Sequence, residues 1–495
     1  MSEETLQYRK CKTSEMILSQ GGAIMGMCCY ILISYASYSG NIGYGIATTA
    51  IGIIMTASRI FDGITDPLFA FIYDRVSTKH GKIRILMVVG WLIEAAGLFG
   101  MFTLFSSKFD GTLGMIIFIA MYIVYILGYT VCQMTSLTIA PVMSNDPKQR
   151  PRFSVVSTIY SYLVPMILTV VLNFAMLPKF GGEYNQAFLS AAALVCIAIS
   201  FIGLIMTLIG VRRFDKPENF EGIGAQKKEK LNLKMMGDVL AHNKPLQCYI
   251  VSGVSDKLAQ QVSSQTIIAT MMNGIIIGNM GISTLISAIA MFPSIIFAFI
   301  GSHYAGKHGN QKGVVTWTWV SMFVSIGMTI FLVGSYSADH IQDIAKIGSP
   351  MMIIYMLILL VLSGTKMCIS AANGGFTADI IDYELFRSGH YEPAVVTGVY
   401  SIVDKVVSSF SALIATSCVA LIGYSNTLPQ PTDALTPAIF WMTMFLLYGL
   451  PILGWICTIV AMRFSHLDKD TMVKIQTAIA EQKAADKSEE ARQNA

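Results

Sequence analysis

Charge is scarce in this chain. Of 495 residues only 13% are Asp, Glu, Lys or Arg, whereas 54% are hydrophobic and the mean hydropathy is +0.59. Soluble domains carry roughly 25% charged residues, so the deficit excludes an ordinary cytosolic enzyme, a disordered chain and a nucleic-acid binder. The net charge of +4 is too small and too dispersed for a phosphate-backbone partner. Cysteine is present without its usual chemistry: the nine residues are an odd count, and none falls in a CxxC or Cys/His metal spacing. Most of them, such as Cys132, Cys196, Cys418 and Cys457, sit in apolar runs and read as small buried hydrophobes. No HExxH, GxSxG or P-loop spacing occurs on a plausible loop, which argues against an enzyme and against a cofactor. No small-residue cleavage pattern follows the polar, basic residues 1–14, so they read as a cytoplasmic tail. What is abundant is apolar and aromatic: 26 Phe, 21 Tyr and 30 Met suit lipid-facing and interhelical surfaces.

A membrane helix needs roughly 20 apolar residues. Such runs number about twelve, near 16–38, 43–72, 85–106, 113–143, 153–177, 186–211, 245–275, 281–304, 313–335, 350–381, 393–423 and 437–463. With the N-terminus inside, 27 Lys and Arg fall in inner segments and only Lys108, Lys179 and Lys346 in outer loops. Cytoplasmic loops are the ones enriched in Lys and Arg, so both termini are expected to be cytoplasmic. The longest polar connection divides the chain. The expected organisation is a cytoplasmic tail (1–15), a six-helix bundle (16–211), a central loop (212–244), a second six-helix bundle (245–463) and a cytoplasmic tail (464–495). An internal echo agrees with duplication: Lys79-His80-Gly81 follows the second run, and Lys307-His308-Gly309 follows the eighth. Parallel six-helix repeats characterise one transporter fold.

Four cations remain inside the apolar runs: Arg59, Lys257, Lys366 and Lys405. Acidic residues there include Asp62, Asp66, Glu94, Asp256, Asp379 and Asp404. Charge facing lipid is costly, so each is a functional candidate. For Glu94 and Lys366, which have little polar company in sequence, a structural pair or a helix-end position is the favoured reading. The segment Ser58-Arg59-Ile60-Phe61-Asp62-Gly63-Ile64-Thr65-Asp66-Pro67 is the most informative. On a helix, Arg59, Asp62 and Asp66 share one face, a stripe about 10 Å long. Thr65 borders it and offers a hydroxyl oxygen. Two carboxylates one turn apart repel unless a cation sits between them, which is a means of binding Na⁺ or H⁺ reversibly.

Asp62-xxx-Asp66-Pro67, followed by Asp74-Arg75 and Gly81-Lys82-Ile83-Arg84, resembles the glycoside–pentoside–hexuronide:cation symporters, the melibiose-carrier branch of the major facilitator superfamily. Pro151-Arg152-Phe153, Ala378-Asp379-Ile380-Ile381-Asp382-Tyr383 and Lys405 agree, so the resemblance covers essentially the whole chain. It implies an all-α integral membrane protein with the twelve-helix major facilitator fold, in the cell membrane. Asp62 and Asp66 would be the coupling-cation carboxylates, with Thr65 and Thr130 as oxygen donors, and Na⁺ or H⁺ as the ion. Lys405 would face the Asp pair from the other half. Asp74, Arg75, Gly81, Lys82 and Arg84 would form an inner gate, with Asp379, Asp382 and Arg387 in the equivalent place, and Arg59 beside the ion site.

Two further polar stripes point to a substrate. Asp256, Lys257, Gln260, Gln261, Ser264 and Gln265 recur at helical spacing in the seventh run, and Tyr129, Gln133 and Ser136 continue the face of Thr130. Arg152 adds a donor fork suited to carboxylate, sulfonate or a vicinal diol. Galactoside carriers of the family carry a carboxylate in the first span and another in the fourth. Here residues 22–38 contain none, the fourth-span place is Gln133, and sugar-stacking aromatic places read as Leu137 and Ser370. The more positive pocket leads to an anionic glycoside, such as a hexuronide, glucuronide or sulfonated sugar, imported by symport through alternating access. The alternatives are an H⁺-coupled transporter of a non-sugar organic anion, or of a neutral oligosaccharide. The partners expected are the small-molecule glycoside and the bilayer, with the chain working as a monomer.

Overall fold

The computed structural model describes residues 9–75, 81–144, 146, 149–216, 233–389 and 393–493, and all the regular structure among them is helical. Helices α1 (Thr13–Ser19), α2 (Gly21–Ile33), α3 (Ala36–Tyr44) and α4 (Thr48–Arg75) open the chain. They are followed by α5 (Ile83–Phe99), α6 (Gly111–Leu137), α7 (Ile139–Met143), α8 (Arg150–Val170) and α9 (Gln186–Val211). The central polar stretch contains α10 (Leu233–His242). Beyond it come α11 (Lys244–Ser263), α12 (Thr266–Ala269), α13 (Met280–His308), α14 (Asn310–Ser337) and α15 (Pro350–Ser388). The chain closes with α16 (Pro393–Ser409), α17 (Ser411–Leu421), α18 (Pro437–Met444), α19 (Leu450–Met462) and α20 (Lys469–Gln493).

Local chemistry starts these helices. Asn185, Asn243, Asn279, Ser349 and Thr436 each accept a hydrogen bond from a first-turn backbone N–H of α9, α11, α13, α15 and α18. Pro sits in the first turn of α11, α15 and α18, where its missing N–H costs nothing. Short π-helical stretches end three of the helical segments (Gly100–Leu104, Val171–Met176 and Thr270–Ile276), and a fourth, Phe445–Gly449, joins α18 to α19. Asn373-Gly374-Gly375 does not break α15, which runs for 39 residues.

Ten helical segments among the described residues are long and apolar enough to cross a membrane. The sequence reading expects twelve. The two runs not among the ten, 43–72 and 245–275, are helical as α4 and α11 but are diluted by Arg59, Asp62 and Asp66 in one and by Asp256 and Lys257 in the other. The polar residues that make these helices informative are also what lowers their hydropathy.

The helices sort into two compact units, each described on its own. The first comprises residues 1–228, 265–275 and 412–434, and the second residues 229–264, 276–411 and 435–495. In the first, α5 lies close against α6. A Cβ on Gly128 would fall 2.3 Å from the backbone N of Glu94, so only glycine permits the approach. Glu94 is fully buried there. Its two carboxylate oxygens have no partner in hydrogen-bond geometry, and the Cys29 and Cys132 thiols are the polar groups beside it. An ion pair for Glu94 is therefore not formed among the described residues. Tyr35 and Tyr184 both donate to Asn173 Oδ1 (3.3 and 3.1 Å), a polar knot inside an aromatic cluster with Tyr38 and Phe188. In the second unit the core is built around Phe376, Ile380, Val396, Leu246 and Met462, with Met472 and Ile475 of α20 packed into it. Six of the nine cysteines are buried as expected, but Cys248 and Cys418 are half-buried and Cys457 is exposed on α19.

Candidate functional site

Helix α4 carries the acidic stripe, and its neighbour α6 supplies the first partner. Thr130, buried to 1% exposure, donates from Oγ1 to Asp62 Oδ1 at 3.2 Å, with Ile126 O at 3.0 Å as the alternative acceptor of the same proton. Asp62 is half-buried and, together with Arg59, lies within electrostatic reach of buried Tyr122 on α6. The expected Asp62–Thr130 juxtaposition is thus present. Thr65, Asp66, Asp74 and Arg75 share the helix, but their side chains lie outside the described ones. Tyr129 precedes Thr130 on α6, and Gln133 follows one turn after Tyr129, its amide packing against Gly26 of α2. The polar face Tyr129–Thr130–Gln133 is therefore continuous with Asp62, and all of it belongs to the first unit. Arg152, expected to bind substrate, is exposed in the first turn of α8.

The expected gate residues have partners that the sequence reading did not name. Asp215, just after α9, accepts from the backbone N–H groups of Lys82, Ile83 and Arg84 at 3.0, 3.1 and 2.9 Å. It also accepts from Arg84 Nε at 3.1 Å, with the carboxylate side chain fully buried. Four charge-assisted bonds on one carboxylate clasp the start of α5 to the end of α9. Gly81 is required at this point: its φ is +86°, and a Cβ would lie 2.2 Å from Asp215 Oδ1. In the second unit Gly309, the partner of Gly81 in the sequence echo, has φ +94° and meets Lys469, whose Nζ donates to Lys307 O at 2.9 Å. Each unit thus fastens the glycine after its second long helix to the segment after its last one. Lys79 and His80 lie outside the described residues.

Asp379, mostly buried on α15, accepts from Asn310 Nδ2 at 2.9 Å, and Asp382 is half-buried one turn on. Arg387 is not simply a partner for these two. It donates to buried Glu384 at 2.7 and 3.1 Å and reaches Asp238 of α10 at 3.4 Å, while Asn243 Nδ2 also donates to Glu384 at 2.8 Å. The central polar stretch is therefore tied to α15 through α10.

The second unit also contains a polar, partly open cavity of about 260 Å³ lined by α11, α15, α16 and α19. Asp256, Lys257 and Gln260 of the seventh-run stripe line it, as do Lys366 and Ser370. Lys366 is not isolated, contrary to its sequence surroundings. Its Nζ stands 5.8 Å from the centre of the Trp455 ring, and it acts electrostatically on Asp256, whose Oδ1 accepts from Trp455 Nε1 at 3.0 Å. Lys405 is half-buried on α16 beside Asp404, which feels both Lys257 and Lys405. Gln261 is half-buried but does not line the cavity.

Over residues 19–469 the chain matches the family described as MFS/sugar transport protein. The chain belongs to this family. Its membership makes it a multi-pass membrane protein of the MFS/sugar transport family. Among curated relatives it is similar to YagG of Escherichia coli, whose name proposes a glycoside/cation symporter, at 28% identity over 22% of this chain and 23% of YagG. It is 21% identical to the lactose permease of Lactobacillus delbrueckii subsp. bulgaricus over 77% of this chain and 58% of that protein. It is 23% identical to the uncharacterized symporter YjmB of Bacillus subtilis over 79% of each. The chain thus spans less than two thirds of the first two relatives. Among solved structures it is similar to a bacterial homolog of the human lysosomal transporter Spinster, with TM-score 0.61 and 11% identity over 93% of this chain and 97% of that one. It is also similar to the nucleoside transporter NupG, with TM-score 0.58 and 12% identity over 91% and 99%. At such identities the likeness shows the major facilitator fold alone.

Proposed function

We propose that this family member is a cation-coupled symporter that imports an anionic glycoside, a hexuronide, glucuronide or sulfonated sugar, by alternating access. The observation that carries the reading is the hydrogen bond from buried Thr130 to Asp62, which gives an acidic helix face a second oxygen on a neighbouring helix. Asp62, Asp66, Thr65 and Thr130 are the proposed cation donors, for Na⁺ or H⁺, with Arg59 tuning their charge. The names of YagG and YjmB, both called symporters, support ion coupling. Gln133, Tyr129, Arg152, Lys405, Lys257 and Gln261 are the proposed substrate residues. Asp74, Arg75, Arg84, Asp379 and Asp382 are the proposed gate. Twelve spanning helices in two six-helix bundles (16–211 and 245–463) complete the reading. Residues 212–244 form the loop between the bundles, and the tails (1–15 and 464–495) are cytoplasmic, as the Lys and Arg distribution supports. The protein acts as a monomer.

A neutral disaccharide is the second reading, favoured by the likeness to a lactose permease. Uptake into proteoliposomes across acidic and neutral glycosides, with and without a Na⁺ or pH gradient, decides between them. Asp62→Asn is expected to abolish gradient-driven accumulation while leaving substrate binding measurable. Full accumulation by that variant would sink the cation role.

A further inference from the structure

The polar cavity of the second unit is lined by residues of that unit, and its chemistry is unusually mixed. Its walls supply donors without acceptors (Lys366 and Lys257), an acceptor without donors (Asp256), and an amide with both (Gln260). Asn373 contributes an acceptor: its Oδ1 is buried with no hydrogen-bond partner among the described residues. Asp256 cannot swing freely, because Trp455 Nε1 holds one of its oxygens at 3.0 Å. Trp455 also fixes Lys366, whose Nζ lies over its ring face. Tyr249 and Tyr400 also line it, their rings 4.7 Å apart and tilted by 31°.

Charge balance then names what is missing. Of the lining groups, two are cationic and one is anionic. Asp256, Lys257 and Lys366 are each half-buried, and an excess charge drawn partly out of water is better accommodated once a counter-charge arrives. With a share of liquid volume near 30 Å³ for each water, a cavity of about 260 Å³ corresponds to roughly nine waters, room for one sugar ring. A ring bearing one carboxylate or sulfonate would neutralise the excess, while its hydroxyls would find Asp256, Asn373 and Gln260. An apolar ligand would strand every one of those groups.

We propose that this cavity is the subsite for the acidic ring of the transported glycoside, with Lys366 as the counter-ion of its carboxylate or sulfonate and Asp256 and Asn373 as acceptors for its hydroxyls. The inference rests on the symport reading for the identity of the ligand but not for its chemistry. It assigns Lys366, Asn373 and Trp455, which that reading leaves unused.

The test compares phenyl glucuronide with phenyl glucoside, alike except for the carboxylate, using the full chain in proteoliposomes for uptake and in detergent for calorimetric binding. Lys366→Gln is expected to weaken phenyl glucuronide, in KM and Kd, by roughly ten- to a hundredfold, as loss of a charge-assisted contact should. The same variant should leave phenyl glucoside within about twofold, and Lys366→Arg should restore most of the discrimination. Asn373→Ala is expected to weaken both ligands equally. A sulfonated glucoside that behaves as the glucuronide does identifies the shared anion as the feature recognised. If Lys366→Gln weakens both ligands alike, or neither, the residue is only structural and the subsite is overturned. Wild-type protein that binds phenyl glucuronide but accumulates nothing overturns symport and leaves the subsite standing. Wild-type protein that accumulates glycosides without dependence on Lys366 does the reverse, and neither binding nor uptake would overturn both.

Discussion

Asp215 ties the start of α5 to the end of α9 in the first unit. It receives three backbone N–H groups and a guanidinium, so its removal would take this carboxylate away from four donors at once. Asp215→Ala is expected to cost about 2–4 kcal/mol, and to lower the thermal midpoint in detergent by on the order of 5–10 °C for a unit of this size. An unchanged midpoint would mean that water replaces the clasp at no loss. The sequence did not reveal this role. An acidic residue between Phe214 and Lys216, in a basic connection, has the surroundings of a solvated charge. Its partners lie more than 130 residues away, beyond any periodic signal. The same distance hid Glu384 from Asn243 and Trp455 from Asp256.

At the scale of elements, period and charge were legible and partnership was not. The step of three and four from Arg59 through Asp62 to Asp66 identifies a polar face from spacing alone, and α4 is one unbroken helix across it. That Thr130 of α6 would meet Asp62 followed only from the family resemblance, and the 3.2 Å contact agrees with it. The α4–α6 contact makes its own prediction. Thr130→Val keeps the shape and removes the hydroxyl, so the half-saturating concentration of the coupling cation should rise roughly five- to tenfold with the maximal rate kept. A maximal rate that collapses, with cation dependence unaltered, would assign Thr130 to helix packing instead. The stripe of α11 was equally readable as polar. Its correct reading needed α19, because it is Trp455 that holds Asp256 and stands under Lys366.

For the whole molecule, hydropathy and charge were enough to give a helical membrane protein, and the fold neighbours agree. Polar composition concealed structure in two places. The basic central stretch contains α10, tied to α15 by Arg387, and the charged C-terminal stretch contains α20. Helix α20 has too few apolar residues to announce itself, yet Met472 and Ile475 are 7% and 3% exposed within the core of the second unit. Burial of such side chains is worth about 2 kcal/mol each. A chain ending at residue 481 is therefore expected to keep the wild-type melting midpoint and uptake, whereas one ending at residue 466 should melt at least several degrees lower. Equal midpoints for the two truncations would show that α20 contributes nothing to the unit it covers.

The cysteine pattern makes the chain its own reporter. With six thiols buried, two half-buried and Cys457 alone exposed, the natural sequence already holds one preferred attachment point, on a helix of the second unit that also carries Trp455 two residues earlier. A membrane-permeant maleimide fluorophore at Cys457 would sit one helix wall away from the polar cavity, without a cysteine-less background having to be engineered. Its spectral response to added ligand, and the energy it receives from Trp455, would follow events in that unit optically during turnover.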